Sequence, residues 1–291
     1  MFFSVLAGGL VLGCTYGMLS LGYALIYQAS GYMNFTQSEL LMFGAFLGLT
    51  FVETMGMPFI AALILAMMIM FLIGWMMERF IIRFLVNKKA KNILVVLATI
   101  ALQIIVQNAA TLIWDTQPHY FPPIIKNTTP VNFFGASVSR DSLLAIAVAF
   151  AAMAALHLFL NKTKFGTSMR AAAQSKPAAS CMGINVNRTI GVTYGIAAAL
   201  ACLGGILVAP TLTVSTSLGL QLGPKSFAGA VIGGYGNIYG AIVGALLIGV
   251  METFVAAYVS STFKDFIVYG VMIAVMIIKP SGIFNAKVYD V

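Results

Sequence analysis

The sequence predicts an all-α polytopic membrane protein with about eight to nine transmembrane helices, several of them broken or re-entrant. Three observations carry that prediction. Only 8% of the 291 residues are charged against 60% that are hydrophobic, and the mean hydropathy is +0.98. A soluble domain carries about 25% charged residues, so too little polar surface is present to cover a water-borne globule. The apolar runs approach the roughly 20 residues a spanning helix needs and show no period-2 alternation, which excludes a porin-like barrel. The 16 Lys and Arg avoid the first 78 residues and gather mainly in two clusters, at 79–91 and 162–188. Clustering in short loops is the positive-inside signature of cytoplasmic segments. It accounts for the net charge of +8 without a nucleic-acid partner.

Residues 5–27 make a first span. Met1-Phe2-Phe3-Ser4 lacks the positive start of a secretory signal, so this helix is expected to be retained. A polar break at 28–39 leads to an apolar run at 40–52 that is short for a span. It must begin near Asn34 and carry Glu39 into the membrane, or be a re-entrant half-helix. Residues 59–77 form the third span, ending at Glu78-Arg79, and 93–114 the fourth. The 27-residue loop at 115–141 holds four prolines, Pro118, Pro122, Pro123 and Pro130, and reads as extracytoplasmic. Residues 142–160 are the fifth span, 161–188 a second polar loop and 189–209 the sixth span. A Ser/Thr/Gly-rich connection follows at 210–225.

The stretch 226–259 is too long for one span and is interrupted by Gly233-Gly234-Tyr235-Gly236-Asn237, so two helices joined by a glycine-rich turn are expected. Residues 266–278 are the last span, and 279–291 a polar tail. Two crossings in 226–259 put twelve of the 16 basic residues inside and leave Lys126, Arg140, Lys225 and Lys264 outside. A single crossing worsens the split to ten and six, so nine crossings are preferred, with the N-terminus outside and the C-terminus inside. Connections this short leave one membrane domain, residues 1–291.

The chain carries no catalytic constellation. It has no HExxH, no GxSxG and no Cys/His cluster; Cys14, Cys181 and Cys202 are unpatterned, and His119 and His157 stand apart. The segment from Gly219 to Lys225 misses the phosphate-binding loop by one residue and places Pro224 before the lysine. No enzyme activity, metal or bound cofactor is therefore expected. Two acids enter apolar runs. Glu39, beside Asn34, Thr36, Gln37 and Ser38, reads equally as a path residue or as interhelical packing. Glu252, alone in its helix, leans to packing. Gly233, Gly234 and Gly236 break the helix at membrane depth, where irregular backbone survives only lining a cavity or buried in protein. Gly240 and Gly244, four apart, read as helix packing.

The second polar loop is the most informative segment. Thr167 or Ser168 is expected to cap a helix starting at Met169, and Pro177 to sit in the first turn of another that Gly183 ends. An ordered loop of this kind suggests a docking platform for another protein.

These residues resemble a known family. Gly166, Arg170, Ala171, Ala178 and Gly183-Ile184-Asn185 match the coupling loop of ABC importer permeases of the branched-chain amino-acid type. Asn34-Phe35-x-x-x-Glu39 is similar to that family's N-F-A-H-G-E region, with Gln37-Ser38 in place of its His-Gly. Phe227-x-x-x-Val231-x-Gly233-Gly234-x-Gly236-x-x-x-Gly240-Ala241 resembles its third conserved region. The matches fall in family order, and length and topology fit the shorter, LivH-like kind of permease. The coupling loop's frequent acids are replaced by Gln174, Ser175 and Lys176.

The resemblance implies an inner-membrane permease subunit of an ATP-driven importer. It would move branched-chain or other hydrophobic amino acids into a bacterial cytoplasm by alternating access. Its partners would be a longer related permease, two cytoplasmic ATPases that use the ATP, and a periplasmic binding protein. It assigns coupling to Gly166, Arg170, Ala171, Ala178, Gly183 and Ile184, within a coupling loop at about 161–188, and the small Ala172 on the same Ala-rich helix is expected to share that role. The residues themselves place a candidate translocation path at Asn34, Phe35, Glu39, Gly233, Gly234 and Gly236, with Asn34 and Glu39 expected at its cytoplasmic side, where the first and second spans meet. The alternative is an ion-coupled secondary transporter, which would need its own coupling carboxylates and often an inverted repeat; only Glu39 and Glu252 qualify, and no clear repeat is visible.

Overall fold

The computed structural model describes residues 2–125, 131–133 and 136–284. Lys126, Pro130 and the tail beyond residue 284, with Lys287, lie outside the described residues. Among the described residues, six helices are long and apolar enough to span a bilayer. They are α1 (Phe2–Ser30), α3 (Phe59–Asn87), α4 (Asn92–Trp114), α5 (Arg140–Lys162), α8 (Val186–Val208) and α10 (Ile238–Tyr258). Three shorter apolar helices join them: α2 (Gln37–Leu49, prolonged by a π-helical turn at Thr50–Thr54), α9 (Leu218–Gly233) and α11 (Lys264–Ile278). Two helices, α6 (Lys164–Gln174) and α7 (Lys176–Cys181), form the second polar loop.

Of the nine expected spans, six are helices long enough to cross a bilayer and three are shorter apolar helices among the described residues, and four details differ. The third span does not end at Glu78-Arg79. No proline or glycine stops it, and it runs through a π-helical turn at Glu78–Ile82 to Asn87. Lys89, in the left-handed region at φ 53°, and a hydrogen bond from Ala90 N to Leu85 O close it there. At 29 residues this helix is about 43 Å long, well beyond a ~30 Å hydrocarbon core. Arg79 and Arg83 thus ride on a helix rather than in a loop. Second, α9 begins at Leu218, so Lys225 belongs to a helix and is buried instead of lying in an outer connection. Third, the helix expected from Met169 starts at Lys164. Thr163 caps it, accepting from Gly166 N at 3.0 Å, while Thr167 and Ser168 return their hydroxyls to the carbonyls of Thr163 and Lys164. Fourth, the loop at 115–141 contains two three-residue antiparallel strands, Val131–Phe133 and Ala136–Val138. That loop is tied to the connection after α8 by paired backbone bonds between His119 and Val214.

Helices α1, α2 and α8 form the centre. Small residues let them approach: a Cβ on Gly44 would meet the backbone of Cys202, and one on Gly205 the carbonyl of Leu41. Gly240 and Gly244 pack against Gly233 and Gly229, the role expected of them. Helix α3 stays outside, and its exposed residues Ile60, Ile64, Met68, Leu72, Met76, Phe80 and Phe84 recur every four residues as one lipid-facing stripe.

Both basic clusters sit at one end of the bundle. Lys176 Nζ donates to Ser30 O at the end of α1, Arg83 Nη2 to Asn187 O, and the start of the tail bonds back through Ile283 N to Ile232 O. By the positive-inside rule this end is expected to be the cytoplasmic one. Cys14 and Cys202 are buried and Cys181 is exposed, so a Cys181→Ser background suits accessibility labelling. A cysteine at Gln117 should then react with an impermeant thiol reagent in intact cells, and one at Lys88 only after permeabilisation. The reverse pattern would overturn this orientation.

Candidate translocation path and coupling loop

Asn34, Phe35 and Glu39 converge where α2 starts. Asn34 Oδ1 accepts from Thr36 N at 3.3 Å, turning the chain into the helix, and Thr36 Oγ1 donates to Thr99 O on α4 at 2.8 Å. Gln37 is buried against Gly22 of α1 and donates to Ala197 O at 2.8 Å, leaving its Oε1 without a partner. Glu39 is fully buried. Its Oε1 accepts a single 3.4 Å hydrogen bond from Gln103 Nε2, and its Oε2 has no partner. Gln103 is the central residue of α4, so the carboxylate lies near mid-depth in the bundle and not toward the cytoplasmic end. Gly219, in the first turn of α9, leaves the space that Glu39 fills. Beside this cluster is a cavity of about 160 Å³ lined by Tyr23, Phe35, Gln103, Gly223, Phe227 and Met272, among others.

Gly233, Gly234 and Gly236 do not join that cluster. They form the turn between α9 and α10 at the cytoplasmic end. A Cβ on Gly233 would overlap the Gly240 carbonyl, and Gly234 and Gly236 hold φ of 109° and 94°, open only to glycine at low cost. Asn237 closes the turn by accepting from Tyr239 N and Gly240 N, both at 3.1 Å. The two groups are bridged by aromatic contacts: Phe227 meets Phe35 at 5.5 Å and Tyr235 at 5.4 Å, and Tyr235 meets Tyr27 at 4.6 Å, between ring centroids.

The loop residues divide into two faces. Gly166, Met169 and Ala172 are buried, seating α6 on α5, α8 and α1; a Cβ on Gly166 would strike the last turn of α5. Ala171 is half-buried. Arg170, Pro177, Ala178, Cys181, Met182 and Gly183 face outward, and Ile184 is half-buried beneath α7. Ser175 caps α7, accepting from Ala178 N, and Gly183 at φ 80° ends it, as expected. Arg170 Nη1 donates to Asn161 Oδ1 at 3.1 Å. Asn161 Nδ2 donates to the Tyr239 hydroxyl at 3.3 Å, and that hydroxyl shares a 2.7 Å hydrogen bond with His157 Nδ1. A polar chain thus joins the outer loop to the glycine turn. Beneath α7 a second cavity, about 450 Å³, is lined by Lys176, Glu78, Arg83 and Ile184, among others. Burial there draws the Lys176 ammonium below its usual range.

Sequence reasoning missed the partners of Glu252. Lys225 Nζ lies 2.6 Å from Glu252 Oε1 and 2.8 Å from Asp265 Oδ1, and Lys264 adds a third contact at 3.4 Å. Tyr16 donates to Glu252 Oε2 at 2.7 Å. Glu252 is therefore the hub of a network joining α1, α9, α10 and α11, the packing role toward which it leaned. The one available signal was a lysine 27 residues upstream, hidden among Gly219, Gly223 and Pro224.

The family described as the permease component of branched-chain amino acid transport systems matches residues 5–276. The chain is 31% identical to the high-affinity branched-chain amino acid transport permease LivH of Salmonella typhimurium, over 98% of this chain and 96% of that one. It is 30% identical to LivH of Escherichia coli over the same shares, and 32% identical to BraD of Pseudomonas aeruginosa over 96% and 94%. No solved structure matches the chain.

Proposed function

The chain belongs to the family of permease components of branched-chain amino acid transport systems, and on that premise we propose that it is one permease subunit of an ATP-driven importer. It moves branched-chain or other hydrophobic amino acids into the cytoplasm across a bacterial inner membrane. A longer related permease, two ATPases and a periplasmic binding protein complete the assembly, and the ATPases use the ATP. The observation that carries this reading is the ordered two-helix loop at the end marked by both basic clusters. Its outward face carries the short side chains of Pro177 and Ala178 and the uncharged Met182, with Arg170 alongside, and is suited to close contact with another protein. Motion imposed on that face has a physical route inward. α6 is seated on three spanning helices, and Arg170 is hydrogen-bonded through Asn161 to Tyr239 at the glycine turn. Alternating access follows when that motion re-aims α9 and α10 around the mid-depth cluster at Glu39.

The test is to co-purify the tagged chain, reconstitute the assembly in proteoliposomes and measure ATP-dependent leucine uptake. Ion-gradient-driven uptake without ATPases would favour a secondary transporter instead. Met182→Arg, on the outer face, should lower ATPase co-purification and uptake about tenfold or more while the chain itself stays monodisperse, since a buried unpaired charge costs several kcal/mol at an interface. Ala172→Trp, on the inner face, should instead unseat α6 and lower the thermal stability of the chain.

A further inference from the structure

We propose that Glu39 receives the α-ammonium group of the transported amino acid, whose aliphatic side chain lodges in the adjoining cavity of Tyr23, Phe35, Phe227 and Met272. This rests on the transport reading above. Three carboxylates are buried among the described residues. Glu78 is ion-paired to Arg83, and Glu252 to Lys225 and Lys264. Glu39 alone of the three has no Lys or Arg ion-paired to it among the described residues, and its Oε2 accepts nothing. A buried carboxylate without a cation is costly in a membrane interior, and such groups mark pathways for charged cargo.

Two features hold the charge without cancelling it. Glu39 lies in the first turn of α2, and it packs on Gly219 in the first turn of α9. Two helix N-termini thus lie beside one carboxylate, and their partial positive charges offset part of the cost of ionising it without supplying a counter-ion. Both helices are short and begin near mid-depth, the arrangement by which discontinuous helices build solute sites.

The cavity adds the second half of the recognition. Gln103 lines it and also donates to Glu39, and Gly223, one turn after Gly219 on α9, lines it too. One helical turn rises about 5.4 Å, comparable to the reach from an amino acid's ammonium to the end of a four-carbon side chain. An ammonium held at Glu39 on its Gln103 side would let such a side chain reach the aromatic and Met272 walls. Gln103 sits where it would hand its hydrogen bond on Glu39 to the incoming ammonium.

The test uses the co-purified assembly without binding protein, measuring equilibrium binding of radiolabelled leucine against two competitors. One is 3-methylbutylamine, which keeps the ammonium and side chain; the other is 4-methylpentanoate, which keeps the carboxylate and side chain. The amine should displace leucine from the wild-type assembly and the acid should not. Glu39→Gln should weaken leucine binding about tenfold or more, as expected for loss of a charge-assisted hydrogen bond, and remove the preference for the amine. Glu39→Asp should keep that preference. Equal displacement by acid and amine, no leucine binding at millimolar concentration, or unchanged binding by Glu39→Gln would each overturn the site. The wild-type competition decides even if the variants fail to fold. A wild-type assembly that takes up no leucine in proteoliposomes refutes the transport reading itself; normal uptake with no preference for the amine refutes only the role of Glu39.

Discussion

Glu252→Leu should destabilise the protein by about 3 kcal/mol or more, the cost of removing one partner from a buried ion pair. The leucine leaves Lys225, itself buried, with only Asp265, whose carboxylate is half exposed and cannot replace a buried counter-charge. It also orphans the Tyr16 hydroxyl, which lies inside the α1 core. Thermal unfolding followed by size-exclusion of detergent-solubilised protein reads the loss. The double variant Lys225→Met/Glu252→Leu should recover most of it, because matched apolar groups of similar volume often replace a buried pair at little cost. Asp265→Asn should shift stability by at most about 1 kcal/mol, since an exposed partner contributes little. Equal losses from Asp265→Asn and Glu252→Leu would show that the network is a surface feature and not a hub.

Gly249→Leu should have an effect as large through sterics alone. α1 and α10 run antiparallel and meet with backbone on backbone. A Cβ at Gly249 would overlap the N and Cα of Gly13, neither of which can rotate away. The expected cost lies at or above the upper end, about 3 kcal/mol, of what overpacking costs in a well-packed interior. Little monodisperse protein should survive solubilisation, and even Gly249→Ala should lower the unfolding temperature. Gly8→Ala and Gly270→Ala are the controls: a Cβ at either meets nothing within 4 Å, so both should behave as wild type. Wild-type behaviour of Gly249→Leu would mean that the α1–α10 crossing is not close in the membrane.

Much of the architecture was legible because the bilayer imposes it. Runs of apolar residues long enough to span, and basic residues concentrated in two clusters, are written directly into the sequence. The same holds for the glycine turn, where Gly234 and Gly236 need positive φ, and for the end of α7 at Gly183. These are local rules, satisfied within a few residues, so one strand of sequence contains them.

Depth, direction and pairing were not legible in that way. Glu39 reads from its neighbours as polar, but that it sits at mid-depth against Gln103 and Gly219 depends on residues 64 and 180 positions away. Ala172 and Ala178 look alike in an Ala-rich loop. Only the seating of α6 on α5, α8 and α1 turns one inward and leaves the other outside. Lys225 reads as a loop lysine until α10 and α11 bring Glu252 and Asp265 to it. The sequence by itself determined a polytopic helical bundle, its ends and its family, because hydropathy and backbone conformation are properties of short segments. Which buried charges are neutralised, and which one is left open, was decided only by tertiary packing, because a counter-charge acts through space and carries no fixed spacing along the chain.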